Sequence, residues 1–98
     1  MSQIIVVANA KVKKEFINEV YLEIQKLHKA THANDKGCIQ YDAHKNIEDE
    51  NVFTFIETWA SIEDLEEHSK KEHFLDFVKN IEGKIESLEV NKLIKQNI

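Results

Sequence analysis

The chain has 98 residues, a net charge of −5 and a pI near 5.5, with 42% hydrophobic and 32% charged residues. This size predicts one domain over residues 1–98, and the hydrophobic fraction is that of a folded protein. Lysines are scattered among carboxylates, so we expect no nucleic-acid partner. The longest apolar run, Ile4 to Ala8, is far shorter than a membrane span, and no signal pattern opens the sequence. We therefore expect no membrane partner and a cytoplasmic location.

A strand and an amphipathic helix open the sequence. From about Gln3 to Lys11 the residues are apolar on both alternating faces, which predicts a strand that is covered on both sides. From about Val12 to His32 apolar residues recur at helical spacing against a charged outer face. These residues are Phe16, Val20, Ile24 and Leu27. Gly37 then provides a residue suited to the left-handed turn that commonly follows a helix.

Two strands and two helices follow. The segments from about Cys38 to Asn46 and from Val52 to Trp59 are β-like and joined by a short polar connection, which predicts an antiparallel hairpin. Ser61 and Asp64 match the capping pattern of a helix N-terminus, so the second helix should begin directly after the hairpin. Helical spacing predicts a third helix from about Glu72 to Glu82.

The tail of the chain predicts a fourth strand. Leu88, Val90 and Ile94 share one face at period two. The resulting order, β-α-β-β-α-α-β, predicts an α+β, ferredoxin-like fold with a four-stranded antiparallel sheet and helices on one face. The other face keeps apolar residues and needs a cover, and a chain of this size leaves much surface in water unless it pairs with a copy of itself.

The five histidines raise the question of a metal. His28 and His32 stand at i, i+4 near the end of the first helix, a spacing that suits metal ligands. No third ligand is near them in sequence, and a helix C-terminus favours such residues in any case, so we predict no metal site. The sequence also lacks a glycine-rich phosphate loop, Cys-x-x-Cys and His-Glu-x-x-His, which predicts a protein without a bound cofactor.

His68 and His73 are the strongest candidates for chemistry. They stand at the end of the second helix and the start of the third. An imidazole there suits proton transfer or the orientation of a substrate hydroxyl, and the structural alternative is a hydrogen bond to backbone at the helix junction.

Other candidates lie on the predicted strands. Trp59 and Phe55 share a strand face by period two and are either core residues or a pocket wall. Tyr41 lies on the more apolar face of its strand. Asn9 projects from an apolar strand as either a pocket hydrogen-bonding group or an exposed edge residue, and we favour the pocket.

The segment from Gly37 to Phe77 resembles the antibiotic biosynthesis monooxygenase family. Trp59-Ala60-Ser61 matches the family's start to the second helix, and the run from Leu65 through His68 to His73-Phe74 looks like the segment that roofs the family's pocket. The resemblance covers nearly the whole chain and is to the small, cofactor-free, quinol-monooxygenase-like members. It implies a homodimeric α/β barrel in which a second protomer covers the open sheet face.

The resemblance also implies a function. We expect a cofactor-independent monooxygenase, an oxidoreductase that oxidises a small aromatic, quinol- or phenol-like substrate with dioxygen. His68 or His73 would be the base and Asn9 a hydrogen-bonding partner. The substrate-binding wall would consist of Tyr41, Phe55, Trp59, Phe74 and Phe77. The alternative is a non-catalytic or isomerase-type dimeric α/β barrel that binds a small molecule.

Two departures from the family narrow the expectation. Phe55 stands where the polyketide-oxidising members carry Asn, and Val78 stands where the haem-degrading members carry an iron-binding His. Both disfavour those activities and leave the quinol-like members. The sequence leaves open the substrate, catalytic activity itself, the choice of base between the two histidines, and assembly beyond a dimer.

Overall fold

The computed structural model describes residues 2–98 and confirms the α+β, ferredoxin-like element order. The strands are β1 (Ile4–Val12), β2 (Cys38–Lys45), β3 (Val52–Trp59) and β4 (Ile85–Ile94); the helices are α1 (Ile17–Asn34), α2 (Ile62–His68) and α3 (Glu72–Asn80), with a 3-10 turn at Lys14–Phe16. The first helix begins later than expected because the Val12 N–H donates to the carbonyl of Asn51 and so prolongs β1. Within residues 2–98, no helix combines the length and apolar character needed to cross a membrane.

The four strands form one antiparallel sheet in the order β2-β3-β1-β4. Ala8 in β1 stands opposite Phe55 in β3 and Val90 in β4, so these three side chains share a face. We call this the inner face, because the helices pack on it and its β1 and β3 residues are buried. The outer face carries the alternate residues, which include half-buried Ile5, Val7 and Ile56.

Two groups of buried residues form the core between the inner face and the helices. One centres on Trp59 and Tyr41, and the other centres on Phe53 and Val20. Phe77 of α3 packs against both. Leu88, Val90 and Ile94 of β4 also belong to the inner face by register, yet they are exposed because β4 is the edge strand beyond the helices.

Gly37 determines how the chain passes from α1 to β2. Its φ is +78°, in the left-handed region, and a Cβ at this position would overlap the carboxylate of Asp64. Asp64 is held near the start of α2, where its backbone N–H donates to the Ser61 hydroxyl over 3.2 Å. The α1–β2 turn and the start of α2 therefore fit together only when residue 37 has no side chain.

The two glycines of the chain provide a matched pair of variants. Gly83 has the same φ of +78°, but a Cβ there would meet nothing within 4 Å. Gly83→Ala should therefore lower the free energy of unfolding by about 1 kcal/mol, the backbone cost alone, whereas Gly37→Ala should cost roughly 1–3 kcal/mol more. Urea denaturation of both variants measures the difference. Equal losses would contradict the close approach of Asp64 to Gly37.

Candidate functional site

A cavity of about 680 Å³ lies between the inner face and the helices. Its volume is in the range of pockets that hold small organic ligands. The wall is mostly apolar, with contributions from all three helices and the strands. The aromatic residues of the wall are Tyr41, Phe55, Phe74 and Phe77, and its polar side chains are those of Tyr41, Glu57, His68, Ser69 and Lys92.

His68 is the histidine of the cavity wall. It is the last residue of α2, and its side chain is 2% exposed. Its Nδ1 is hydrogen-bonded to Asp35 Oδ2. Because an ionised carboxylate only accepts, Nδ1 carries the proton and Nε2 carries the lone pair. Nε2 is buried, and no group within residues 2–98 hydrogen-bonds it.

Asp35 lies behind His68 and away from the cavity. It follows α1 directly, and its side chain is 1% exposed. Its second oxygen, Oδ1, lies 2.9 Å from His73 Nε2 at the start of α3, a close contact that lacks the geometry of a hydrogen bond. Buried carboxylates need such partners because desolvation strongly disfavours an isolated charge. Asp35 thus joins the α1–β2 turn to the α2–α3 junction.

The surroundings of His68 keep its imidazole neutral. Burial lowers the pKa of His68, and the nearby His73 lowers it further. The hydrogen bond to Asp35 and the charge of Asp35 act in the opposite direction and raise it. The net direction is downward from the ordinary value of 6.5. At neutral pH His68 is therefore unprotonated at Nε2 and able to accept a proton.

Glu57 is a second proton-exchanging group in the cavity wall. It lies on the inner face of β3, and its carboxyl accepts a hydrogen bond from Trp59 Nε1 over 2.9 Å. Burial raises the pKa of Glu57 to about 7, and the Trp59 hydrogen bond opposes this shift. Near neutral pH the carboxyl therefore exists in both protonation states, so it can donate or accept a proton.

Trp59 does not line the cavity, which corrects its expected place in the substrate-binding wall. Its side chain is 0% exposed and lies one layer behind the wall, with ring centroids 4.7 Å from His68 and 6.1 Å from Tyr41. The residue ends β3 beneath α2, where the helix covers it. Its function in the site is to support His68 and to donate to Glu57. Burial raises the pKa of Tyr41 above its ordinary value, so this residue keeps its proton.

The structure brings together most of the predicted site residues. His68, Tyr41, Phe55, Phe74 and Phe77 line one cavity. His73 contacts Asp35 and is not part of the wall, so the cavity distinguishes the two histidines that the sequence left equivalent.

Asn9 is the second correction. It lies on the outer face, where its side-chain oxygen accepts from the Thr54 hydroxyl, and the inner-face positions of β1 are its neighbours Ala8 and Ala10. The strand alternation therefore directs Asn9 away from the cavity that contains His68. It cannot serve there as the expected hydrogen-bonding partner.

Sequence reasoning missed Asp35 and Glu57. Asp35 stood in a polar cluster typical of a helix end, and no local pattern predicted contacts with residues 33 and 38 positions later. Glu57 had a usable signal, because it lies between Phe55 and Trp59 on the same face by period two. A carboxylate on an apolar strand face is a candidate for function, since such groups are rarely buried without a reason.

Two clusters of side chains within residues 2–98 have metal-ligand chemistry. Each has three donor atoms within 4.8 Å of one another: Asp35, His68 and His73 form one, and His28, His32 and Asp42 form the other. In the first cluster the Asp35–His68 hydrogen bond already uses two of the three side chains. In the second, Asp42 of β2 supplies the third donor that the sequence did not reveal.

Comparison with known proteins identifies the family of the chain. The family model for antibiotic biosynthesis monooxygenases matches residues 3–80, and the chain belongs to that family. Within the match lie His68, Asp35, Glu57 and the aromatic residues of the cavity wall. The comparison with curated proteins found no match.

Solved structures share the fold along nearly the whole chain. A Pseudomonas aeruginosa protein is 26% identical with a TM-score of 0.91, and the match covers 99% of this chain and 97% of that chain. A conserved Methanosarcina mazei protein is 27% identical with a TM-score of 0.91, covering 98% and 95%. A Caulobacter crescentus protein that carries the family's name has a TM-score of 0.93 at 23% identity, and the match covers 98% of this chain and 92% of that chain. At this level of identity the likeness is evidence for a shared fold only.

The raised pKa of Glu57 predicts a pH-dependent stability. The folded state binds the Glu57 proton more tightly than the unfolded state, in which the pKa of this carboxyl is near 4.5. The protonated carboxyl therefore makes its full contribution to the free energy of unfolding below about pH 4.5. That contribution is lost as the pH rises through about 7. From about pH 5 to about pH 8, the free energy of unfolding should fall by roughly 2–4 kcal/mol more in the wild type than in Glu57→Gln.

Urea denaturation of both proteins across this pH range measures the effect. Subtracting the two curves removes the contribution of His68, whose lowered pKa gives the opposite slope. Gln can still accept from Trp59, so the variant removes the titration and keeps the contact. Parallel curves would contradict the burial of an ionisable Glu57.

Proposed function

We propose that this protein is a cofactor-independent monooxygenase that oxidises a small hydroquinone- or phenol-like substrate with dioxygen. Membership of the antibiotic biosynthesis monooxygenase family supports the reaction class. The observation that carries the proposal is His68, a residue of the aromatic cavity wall whose Nδ1 is bound to Asp35 and whose buried Nε2 has no hydrogen-bond partner within residues 2–98. Such a base, oriented by a carboxylate, suits the removal of a hydroxyl proton.

The cavity suits a flat aromatic ring. Phe55, Phe74 and Phe77 provide ring faces and edges in its wall, and aromatic pairs favour offset or edge-to-face contacts. Phe55 and Phe77 already meet in an edge-to-face arrangement with centroids 6.3 Å apart. The mostly apolar wall also strengthens the electrostatic effect of each polar side chain that lines it.

The reaction starts with proton transfer from a substrate hydroxyl to His68 Nε2. The imidazolium that forms is stabilised by Asp35, which lies against Nδ1. The resulting anion gives an electron to dioxygen, and recombination of the two radicals forms a carbon–oxygen bond. For a hydroquinone the products are a hydroxyquinone and water: one oxygen atom enters the ring, the other leaves as water, and the substrate supplies all the electrons.

Glu57 and Tyr41 take the role first expected of Asn9. They stand opposite each other on neighbouring strands and both line the cavity. The Tyr41 hydroxyl keeps its proton and can donate to a substrate anion. Glu57, with its pKa of about 7, can donate to or accept from the second hydroxyl of a hydroquinone.

An isomerase-type protein is the second candidate, and the pair of Glu57 and His68 favours it. Two proton-exchanging groups in one wall could move a proton between two carbon atoms of a substrate, which needs no dioxygen. A phosphorylated substrate fits less well: Lys92 is the cationic side chain at this cavity, whereas Lys11 lines a separate surface depression.

A second copy of the chain is the proposed partner at the outer face. This face carries half-buried Ile5, Val7 and Ile56 among threonines and other polar residues. Leu93 of β4 is exposed and lies on the same face, opposite Ile5. Pairing two such sheets would cover this surface, which is otherwise large for a domain of this size.

Oxygen uptake with a panel of small hydroquinones tests the activity. The metal-stripped protein should consume dioxygen above the uncatalysed rate and incorporate one labelled oxygen atom from ¹⁸O₂ into the product. His68→Ala should lower kcat by about 10²–10⁴-fold, because it removes the base. His73→Ala should lower it less, because His73 acts through Asp35. His44→Ala, an exposed histidine of β2, is the control and should leave the rate unchanged.

The outcomes separate the candidates. Near-ultraviolet circular dichroism of each variant checks that it is folded, and catalase in the assay shows whether hydrogen peroxide is formed instead of the labelled product. Uptake that persists in His68→Ala would contradict the role of His68. No uptake, together with His68-dependent exchange of substrate hydrogen for deuterium, would favour the isomerase-type candidate.

Sedimentation velocity tests the proposed dimer. The wild type should sediment as a dimer, and Ile56→Lys should shift it to the monomer because the change places a charge in the middle of the outer face. Leu22→Lys is the matched control, since Leu22 is exposed on α1, away from the sheet. A wild-type monomer, or a dimer that only Leu22→Lys disrupts, would contradict pairing through the sheet.

A further inference from the structure

We propose that His28, His32 and Asp42 bind a divalent transition-metal ion, of which zinc is the representative, where the end of α1 meets β2. The site is separate from the cavity and from the proposed oxidation, because none of its three residues lines that cavity. Two imidazoles and one carboxylate are a ligand set that zinc uses in proteins. Three protein ligands leave a fourth position for water or a further ligand.

The backbone already brings the three side chains together. His28 and His32 are one helical turn apart on the same face of α1, with ring centroids 4.4 Å apart. His28 Nε2 lies 3.8 Å from Asp42 Oδ1, and one donor atom from each residue lies within 4.8 Å of the others. Ligand atoms around one zinc ion, each about 2.0–2.2 Å from it, lie roughly 3–4 Å apart. The His28–Asp42 separation is already in this range, and side-chain rotation must bring the remaining donor pairs, which lie within 4.8 Å, into it.

Hydrogen bonds outside the three ligands orient two of them. His32 Nε2 lies 3.1 Å from the carbonyl oxygen of Tyr41. A carbonyl only accepts, so Nε2 carries the proton and Nδ1 carries the lone pair that a metal needs. Metal-binding histidines commonly make this hydrogen bond with their second nitrogen.

Asp42 is held in the same manner. Its Oδ2 accepts from Gln40 Nε2 over 3.1 Å, which leaves Oδ1 facing His28. The side chain of Gln40 is fixed in turn, because its Oε1 accepts from the Thr58 hydroxyl over 3.2 Å. The carboxylate is therefore pre-oriented by a chain of hydrogen bonds that extends onto β3.

The ligand chemistry predicts which ions bind. Imidazole nitrogens favour zinc, copper, nickel and cobalt, whereas magnesium and calcium prefer sites built of oxygen atoms. The ion would tie the end of α1 to the edge strand β2. Binding should therefore raise the melting temperature of the protein, with no requirement for a change in catalysis.

Isothermal titration calorimetry of the metal-stripped full chain with zinc chloride tests the site. We expect one zinc ion per chain, a higher melting temperature with zinc, and no binding of magnesium. His28→Ala and Asp42→Ala should each weaken binding by more than about 100-fold, and Gln40→Ala by about 10–100-fold through loss of orientation. His44→Ala is the control and should bind as the wild type does.

His73→Ala identifies the cluster responsible. Unchanged zinc binding in this variant supports the proposal, because His73 belongs to the other group of donors. Zinc binding that is lost in His73→Ala but kept in His28→Ala would overturn it. The absence of stoichiometric binding to the wild type would overturn it as well.

Discussion

The buried carboxylate of Asp35 is the constraint on which the arrangement of the site depends. A charge with 1% of its side chain exposed is strongly disfavoured unless it is paired, and its partners here are the imidazoles of His68 and His73. Removing one partner would leave a buried polar or charged group without its hydrogen bond, which typically costs about 1–3 kcal/mol or more. The carboxylate therefore holds together the end of α1, the end of α2 and the start of α3.

This pairing also gives the two histidines different positions relative to the cavity. Asp35 takes one nitrogen of His68 and leaves the other without a hydrogen-bond partner within residues 2–98, while His73 remains on the far side of the carboxylate. Trp59 supports the arrangement from below by packing on His68 and donating to Glu57. The wall of the cavity is thus a single layer of aromatic and proton-exchanging groups, and the residues behind it set their protonation and direction.

The sequence predicted the fold well because the fold follows from local patterns. Period-two strands, helical apolar spacing and the Ser61 cap were sufficient for the element order. The contacts that the sequence did not reveal are non-local. Asp35 meets His68 and His73 only through tertiary packing, and Asp42 meets His28 and His32 only across α1 and β2. Asn9 was assigned to the cavity because it is a polar residue between two alanines. The alternation of side chains along β1 instead directs it to the outer face.

The measurement that tests the central claim most directly is the tautomer and protonation state of His68, read by NMR from the ¹⁵N shifts of labelled histidine. The account predicts a neutral ring at pH 7 with the proton on Nδ1, the lone pair on Nε2 and a pKa below the ordinary value. Asp35→Asn should release this preference. A doubly protonated ring at pH 7, or a neutral ring with its proton on Nε2, would contradict the assignment of His68 as the base of the cavity.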